Sequence, residues 1–245
     1  MSLRALFFDV GETLVYAHPS SAEIMAEVCR EAGLPVVAEA VEQAEARVAP
    51  RIAARQATGE LYSISPESSE RFWTWVYTQI LAELQTPEAT RPCLARRLHE
   101  RFSRLETWRL FPDVRPTLEA LRSRRQQNGL VVGIISNWED WLEALLVQLE
   151  IHHYFDFLTI SAGVRLEKPD PRIFQAALQR AGARPEEALH VGDSLHADVG
   201  GARAAGITPV LIDRRGRYSP EQAQGAAIIR SLDALLPLLD QPPLA

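Results

Sequence analysis

The chain has 245 residues, of which 47% are hydrophobic and 24% are charged, and its formal net charge is −6. This is the composition of an ordinary globular protein, which excludes a disordered or fibrous chain. The acidic balance argues against a nucleic-acid partner and against a basic membrane-binding patch. The chain has only two cysteines, Cys29 and Cys93, which favours a reducing, cytoplasmic compartment. The sequence contains no run of about 18 apolar residues, so no membrane span is predicted.

The first part of the chain predicts one strand followed by a helical block. Residues 3–8 are an apolar run that is typical of a buried strand. From about residue 20 to residue 106 the pattern is helical, with no convincing strand. Helices are predicted to begin at Ser20, after Val36, at Ser65 and at Thr90, and Pro50 is expected to kink or split the second of them.

After Pro112, short apolar strands alternate with helices. The predicted strands are 130–135, 155–160, 188–191, 209–212 and a weak edge strand at 226–229, and the predicted helices are 114–126, 138–149, 172–181, 197–204 and 232–238. This alternation is typical of βαβ units, which build a parallel sheet. The fold class is therefore α/β, a doubly wound, Rossmann-like core of residues 1–15 and 110–245 with an all-helical domain, residues 16–109, inserted after the first strand.

Polar residues follow the ends of four predicted strands. The segments, in chain order, are Asp9-Val10-Gly11-Glu12-Thr13, Ser136-Asn137, Glu167-Lys168-Pro169-Asp170 and Gly192-Asp193-Ser194, with Asp198 five residues after Asp193. Ligands of an open α/β sheet bind beyond the carboxyl ends of its strands. Carboxylates, a hydroxyl and an ammonium at one edge indicate an anion site with a hard cation, and Mg²⁺ prefers carboxylates, waters and phosphate oxygens.

These segments resemble the four motifs of the haloacid dehalogenase (HAD) superfamily, in the same order and at the same spacing. DVGET resembles the first motif, IISN the second, the lysine of EKPD the third and GDSLHAD the fourth. The resemblance covers the whole predicted core. It implies that residues 16–109 form the helical cap of that superfamily and that the protein is a hydrolase.

The resemblance also implies which residues carry the reaction and the metal. Asp9 matches the nucleophile, whose carboxylate attacks phosphorus and forms an aspartyl-phosphate. Asp9, the backbone carbonyl of Gly11 and Asp193 match Mg²⁺ ligands, and Asp198 matches a residue that holds the water shell of the metal.

Ser136, Asn137 and Lys168 are assigned to the phosphoryl group of the substrate. Ser136 could also, or instead, cap the predicted helix near residue 138, and Asp198 could complement a helix dipole. Lys168 is the single lysine beside 25 arginines. Its compact ammonium can approach two carboxylates and a phosphate where a planar guanidinium cannot, so chance survival of this lysine is the weaker explanation.

Gly11 departs from the family pattern, in which phosphatases have a second aspartate and dehalogenases a tyrosine. A general acid/base contributes about 10²–10⁴ to a rate, so its loss predicts a slow phosphatase. Glu12 and His18 are the candidates to replace the missing acid/base, and glycine at position 11 could also serve a backbone with positive φ.

The six histidines show no metal-ligand spacing and are expected on the surface or in loops.

The function that these residues predict is an Mg²⁺-dependent phosphomonoesterase for a small phosphorylated or anionic metabolite. Two alternatives stay open: a 2-haloacid dehalogenase in which Asp9 attacks carbon, and a non-catalytic protein that binds a phosphate ligand. Metal-dependent activity separates the first alternative from a phosphatase, and tight phosphate binding without turnover marks the second. The sequence identifies neither the substrate nor the oligomeric state.

Overall fold

The computed structural model describes residues 3–239, with the backbone alone described at residues 126 and 127. These residues form two compact units. One unit contains the residues up to Tyr16 and those from Leu110 onward, and the other is Ala17–Arg109.

The strands and helices carry the following bounds. The strands are β1 (Ala5–Phe8), β2 (Val15–Ala17), β3 (Trp108–Leu110), β4 (Val131–Ser136), β5 (Phe157–Ile160), β6 (Ala188–Gly192), β7 (Thr208–Ile212) and β8 (Ala227–Ile229). The helices are α1 (Ser21–Glu31), α2 (Ala38–Gln56), α3 (Pro66–Glu83), α4 (Arg91–Phe102), α5 (Val114–Asn128), α6 (Leu142–Gln148), α7 (Ser161–Val164), α8 (Pro171–Ala181), α9 (Gly201–Ala204), α10 (Pro220–Ala223) and α11 (Leu235–Leu238). A π-helical turn, Leu195–Gly200, precedes α9, and single 3₁₀ turns lie at Glu88–Thr90, Leu105–Thr107, His152–Tyr154, Pro185–Glu187 and Leu232–Ala234.

The first unit is built on a six-stranded sheet in the order β5-β4-β1-β6-β7-β8, and every pairing is parallel. The predicted parallel α/β fold is therefore confirmed. Strand β1 is central and completely buried because both of its faces are covered, as its uninterrupted apolar sequence requires. Phe8 lies beside Ile134 of β4 and Val191 of β6, so the carboxyl ends of these three strands meet at one edge of the sheet.

The second unit consists of α1–α4 around its own apolar core. Ser20 begins α1 with a capping box, in which its hydroxyl and the Glu23 carboxylate bond each other's backbone N–H groups. Helix α2 continues through Pro50, so the predicted split of this helix is wrong. The helix holds together because Val48 and Ile52, on either side of the proline, pack into the same core.

Strands β2 and β3 form a separate two-stranded sheet that the sequence did not predict. Each has only three residues, which is too short for a hydrophobic alternation to stand out. Within residues 3–239, no helix combines the length and the apolar character that a bilayer span requires.

Candidate active site

Asp9 stands directly after β1, at the edge where the strand ends meet. Its backbone N–H donates to the carbonyl of Val191 at 2.9 Å, which continues the parallel pairing one residue past the strand. Its Oδ1 accepts hydrogen bonds from Ser136 Oγ at 2.9 Å and from Lys168 Nζ at 2.7 Å. Burial raises the pKa of the Asp9 carboxyl, and the charge of Lys168 opposes that rise.

Lys168 places its ammonium between two buried carboxylates. Nζ lies 2.7 Å from Asp9 Oδ1 and 2.6 Å from Asp198 Oδ1, and its side chain is 3% exposed. Burial favours the neutral amine, but the charges of Asp198 and Asp9 outweigh burial and raise the pKa of Lys168 above its ordinary value. The ammonium is therefore charged and held in one position.

Asn137 fixes the backbone of Lys168. Its side-chain Nδ2 donates to the Lys168 carbonyl at 2.9 Å, and its Oδ1 accepts from the Lys168 N–H at 2.7 Å. The two bonds tie the end of β4 to the loop that carries the lysine. A contact between Asn137 and substrate stays a prediction.

Asp198 has protein donors on both carboxylate oxygens. Oδ1 accepts from Lys168 Nζ and lies 2.9 Å from His190 Nε2, and Oδ2 accepts from the Ser194 N–H at 3.0 Å. Burial opposes ionisation of Asp198, but Lys168 and His190 outweigh it and lower the pKa of this carboxyl. A Cβ on Gly192 would lie 2.1 Å from Asp198 Cγ, so glycine at the end of β6 is what admits the carboxylate.

Of the three acidic residues, Asp193 has the negative charge that nearby cations offset least. Burial, followed by the charges of Asp198 and Asp9, raises the pKa of Asp193 to about 8. The guanidinium of Arg217 approaches Asp193 Oδ2 at 3.4 Å and opposes this rise. A further cation near Asp193 would therefore stabilise the ionised form of this carboxyl.

The donor set of the cluster fits Mg²⁺. Asp9, Asp193 and Asp198 each offer a carboxylate oxygen, and these atoms lie within 4.8 Å of one another. Hard oxygen donors and an excess of negative charge are what Mg²⁺ selects. The structure thus brings the three predicted acidic residues together, whereas coordination by the Gly11 carbonyl stays a prediction.

In the loop after Asp9, position 11 has little room for a side chain. The φ of Gly11 is not positive; the positive φ in this loop, 53°, belongs to Glu12. The predicted backbone role of Gly11 is therefore wrong. A Cβ at Gly11 would lie 3.3 Å from Cζ3 of Trp138, so the small residue accommodates an indole that the sequence did not mark.

The candidate substitutes for the missing acid lie in different surroundings. The Glu12 carboxylate pairs with Arg215 at 3.1 Å; the Arg215 side chain is exposed and the Glu12 side chain is half-buried. His18 belongs to the second unit. The role of either residue as a proton donor stays a prediction.

Two local predictions about this edge are wrong. Helix α6 begins at Leu142 instead of residue 138, so Ser136 caps no helix and its hydroxyl bonds Asp9. His190 lies neither on the surface nor in a loop, because it is completely buried in β6. The signal in the sequence was its position within an apolar strand, Ala188–Gly192, eight residues before Asp198.

Comparison with known proteins gives concordant matches. A model of haloacid dehalogenase-like hydrolases matches residues 3–206. A mouse (Mus musculus) protein, haloacid dehalogenase-like hydrolase domain-containing protein 3, is 35% identical over 250 residues, covering 98% of this chain and 95% of that protein. A glyceraldehyde 3-phosphate phosphatase of Methanopyrus kandleri is 32% identical over 221 residues, covering 88% and 86%. The crystal structure of a dehalogenase, 28% identical, superposes with a TM-score of 0.71 and covers 98% and 99%.

Proposed function

Since the chain belongs to the haloacid dehalogenase-like hydrolase family, we propose that it is an Mg²⁺-dependent phosphomonoesterase whose nucleophile is Asp9. The observation that carries this proposal is the buried ammonium of Lys168 between Asp9 and Asp198, beside the acidic Asp193. A carboxylate held against a fixed cation is suited to receive a phosphoryl dianion. The phosphatase name of one relative supports the same substrate class.

In the proposed reaction the residues of the site have different roles. Ser136 and Lys168 donate to Asp9 Oδ1 and orient the carboxylate, and Lys168 offsets charge on the phosphoryl oxygens. Mg²⁺, held by Asp9 and Asp193 with Asp198 behind them, would supply the positive charge that lowers repulsion between nucleophile and phosphate. A carboxylate oxygen of Asp9 attacks phosphorus, and the bond from phosphorus to the leaving oxygen breaks.

Turnover then requires a proton and a water molecule. The leaving oxygen takes a proton from solvent or from Glu12, since Gly11 has none to give. Water hydrolyses the aspartyl-phosphate, which releases phosphate and regenerates Asp9. We expect slow turnover on phosphates whose leaving oxygen is strongly basic.

One alternative reaction has specific support. A structural relative at 28% identity is described as a dehalogenase. In that reaction Asp9 would attack carbon and displace a halide, and no metal would be needed. The cluster of three carboxylates favours the phosphatase, because a phosphoryl dianion that approaches Asp9 needs a divalent cation to offset its repulsion from these carboxylates.

The test is hydrolysis of p-nitrophenyl phosphate and of 2-chloropropionate, each with Mg²⁺ and with a chelator. Phosphate release should require Mg²⁺ and should vanish in Asp9→Asn, while the control Asp140→Asn, which changes an exposed carboxylate, should retain it. Chloride release that survives chelation would replace the phosphatase with a dehalogenase. Tight phosphate binding without release of either product would identify a binding protein.

Two further assignments belong to this proposal. The helical unit, Ala17–Arg109, is assigned as the cap that selects a small phosphorylated metabolite, on the strength of the family resemblance. A cytoplasmic location is assigned from cysteine usage, since Cys29 and Cys93 are both free thiols.

A further inference from the structure

We propose that His190 is a positioning residue, which holds Lys168 against the nucleophile by bonding Asp198 from inside the sheet. The inference rests on the proposed function, because it assigns His190 to the same reaction. It concerns a residue that is completely buried in β6.

A continuous chain of polar contacts connects His190 with Asp9. His190 Nε2 lies 2.9 Å from Asp198 Oδ1, and the same oxygen accepts from Lys168 Nζ at 2.6 Å. Lys168 Nζ in turn donates to Asp9 Oδ1 at 2.7 Å. His190 therefore stands two hydrogen bonds behind the ammonium that contacts the nucleophile.

The surroundings of His190 determine the direction of its hydrogen bond. Asp198 Oδ1 accepts from the Lys168 ammonium and is the acceptor toward His190 too, so Nε2 must carry the proton. The ring is completely buried and lies edge-on against Phe174, with 5.1 Å between the ring centroids. Within residues 3–239 no group bonds Nδ1, which is also buried.

This arrangement has a cost that a purely structural residue would not carry. A buried nitrogen without a partner destabilises the folded protein, and an apolar side chain in β6 would avoid that penalty. The contact that the histidine gains is the one to Asp198 Oδ1. This contact is what offsets the cost of the unpartnered Nδ1.

The contact controls how Asp198 shares the ammonium. With two donors on Oδ1, the Asp198 charge is divided between His190 and Lys168. Without the imidazole, Lys168 is the single donor to that oxygen and is drawn toward Asp198, away from Asp9. The phosphoryl group then loses part of its cation in the transition state, so kcat should fall more than KM rises.

The first experiment reads the tautomer without using activity. Long-range ¹H–¹⁵N spectra of histidine-labelled, metal-free protein at neutral pH should show His190 with its proton on Nε2, the signal being assigned by its loss in His190→Gln. A ring with no proton on Nε2 would overturn the proposal. Because this spectrum needs no substrate, it tests the contact even if the protein hydrolyses no phosphate ester.

The second experiment compares steady-state kinetics on p-nitrophenyl phosphate in Mg²⁺. His190→Leu, which removes the donor, should lower kcat by about 10–100-fold with less than about a threefold change in KM. His190→Gln places an amide donor near the Nε2 position and should return kcat to within about threefold of the unaltered protein. Equal losses in the two variants, or full activity in His190→Leu, would overturn the proposal.

Matched variants separate positioning from packing. Phe174→Leu removes the ring that packs on His190 but leaves the polar chain intact, so it should lower the unfolding midpoint and leave kcat near normal. A loss of kcat in Phe174→Leu equal to that in His190→Leu would contradict the positioning role. If His190→Leu does not fold, His190→Asn takes its place, because its shorter amide does not reach Asp198, and it should lose kcat where His190→Gln does not.

Discussion

Lys168 shows how much of the site depends on the shape of one side chain. Its ammonium reaches two carboxylates on different elements at 2.7 and 2.6 Å while remaining almost fully buried. An arginine keeps the charge, but its planar fork spreads that charge over several donors and needs more room. The single lysine of the chain thus stands where a point charge is required.

Lys168→Arg should therefore lose nearly as much kcat as Lys168→Met, by about 10²–10³-fold. Their stabilities should differ, because Lys168→Met leaves Asp9 and Asp198 buried without a cation, at a cost of about 3–5 kcal/mol. Kinetics in Mg²⁺ and urea unfolding in chelator measure the two effects separately. Near-normal turnover in Lys168→Arg would show that the lysine is a compositional accident.

Gly11 and Trp138 form a pair of complementary size. Because an added Cβ would meet the indole at 3.3 Å, Gly11→Asp alone should not place its carboxyl well. Combined with Trp138→Leu, it should raise kcat on alkyl phosphates by at least about 10-fold, since these need a proton on the leaving oxygen. Rates on alkyl and aryl phosphates check this, and a full gain in Gly11→Asp alone would contradict the proposed crowding.

At the level of elements, the end of β6 and the π-helical turn after it must approach each other without a side chain between them. A Cβ on Gly192 would overlap the carboxyl group of Asp198, with 2.1 Å to Cγ. Gly192→Ala should therefore displace Asp198, destabilise the protein by about 1–3 kcal/mol and lower kcat. The control Gly163→Ala in α7, where a Cβ meets nothing within 4 Å, should leave both unchanged. Urea unfolding and kinetics of the two variants distinguish displacement from a general effect of adding a methyl group.

The elements that the sequence predicted well are those that bury a long apolar face. Strand β1 is a continuous hydrophobic run, and the order of strands and helices follows from that texture. Local geometry was less accessible: the start of α6 at Leu142 and the π-helical turn at Leu195–Gly200 depend on loop contacts that no periodicity encodes. The role of His190 was missed because its contact with Asp198, eight residues later in the chain, forms only when β6 and the π-helical turn pack together.

For the molecule as a whole, the charge of the site links metal binding to folding. Three carboxylates of the first unit converge, and Lys168 compensates Asp9 and Asp198 more directly than Asp193. The folded state holds Asp193 with a pKa of about 8, against an ordinary value of 3.8. Folding of the metal-free protein therefore favours the protonated carboxyl.

This linkage predicts how stability depends on pH. Between about pH 4 and pH 8 the Asp193 carboxyl binds more proton in the folded protein than in the unfolded chain, so this group should make metal-free stability fall as pH rises, by at most about 1.4 kcal/mol per pH unit. Mg²⁺ binds the ionised carboxylate, so the rise in unfolding midpoint that it produces should be larger at pH 8 than at pH 6. Thermal melts with Mg²⁺ and with chelator at both pH values measure this. Asp193→Asn supplies the control, because it removes this titrating group and should weaken the metal-free dependence, to which the buried Asp9 also contributes, while losing most of the gain from Mg²⁺. A metal-free protein whose dependence on pH is the same with and without Asp193 would show that this carboxyl is already ionised in the folded state.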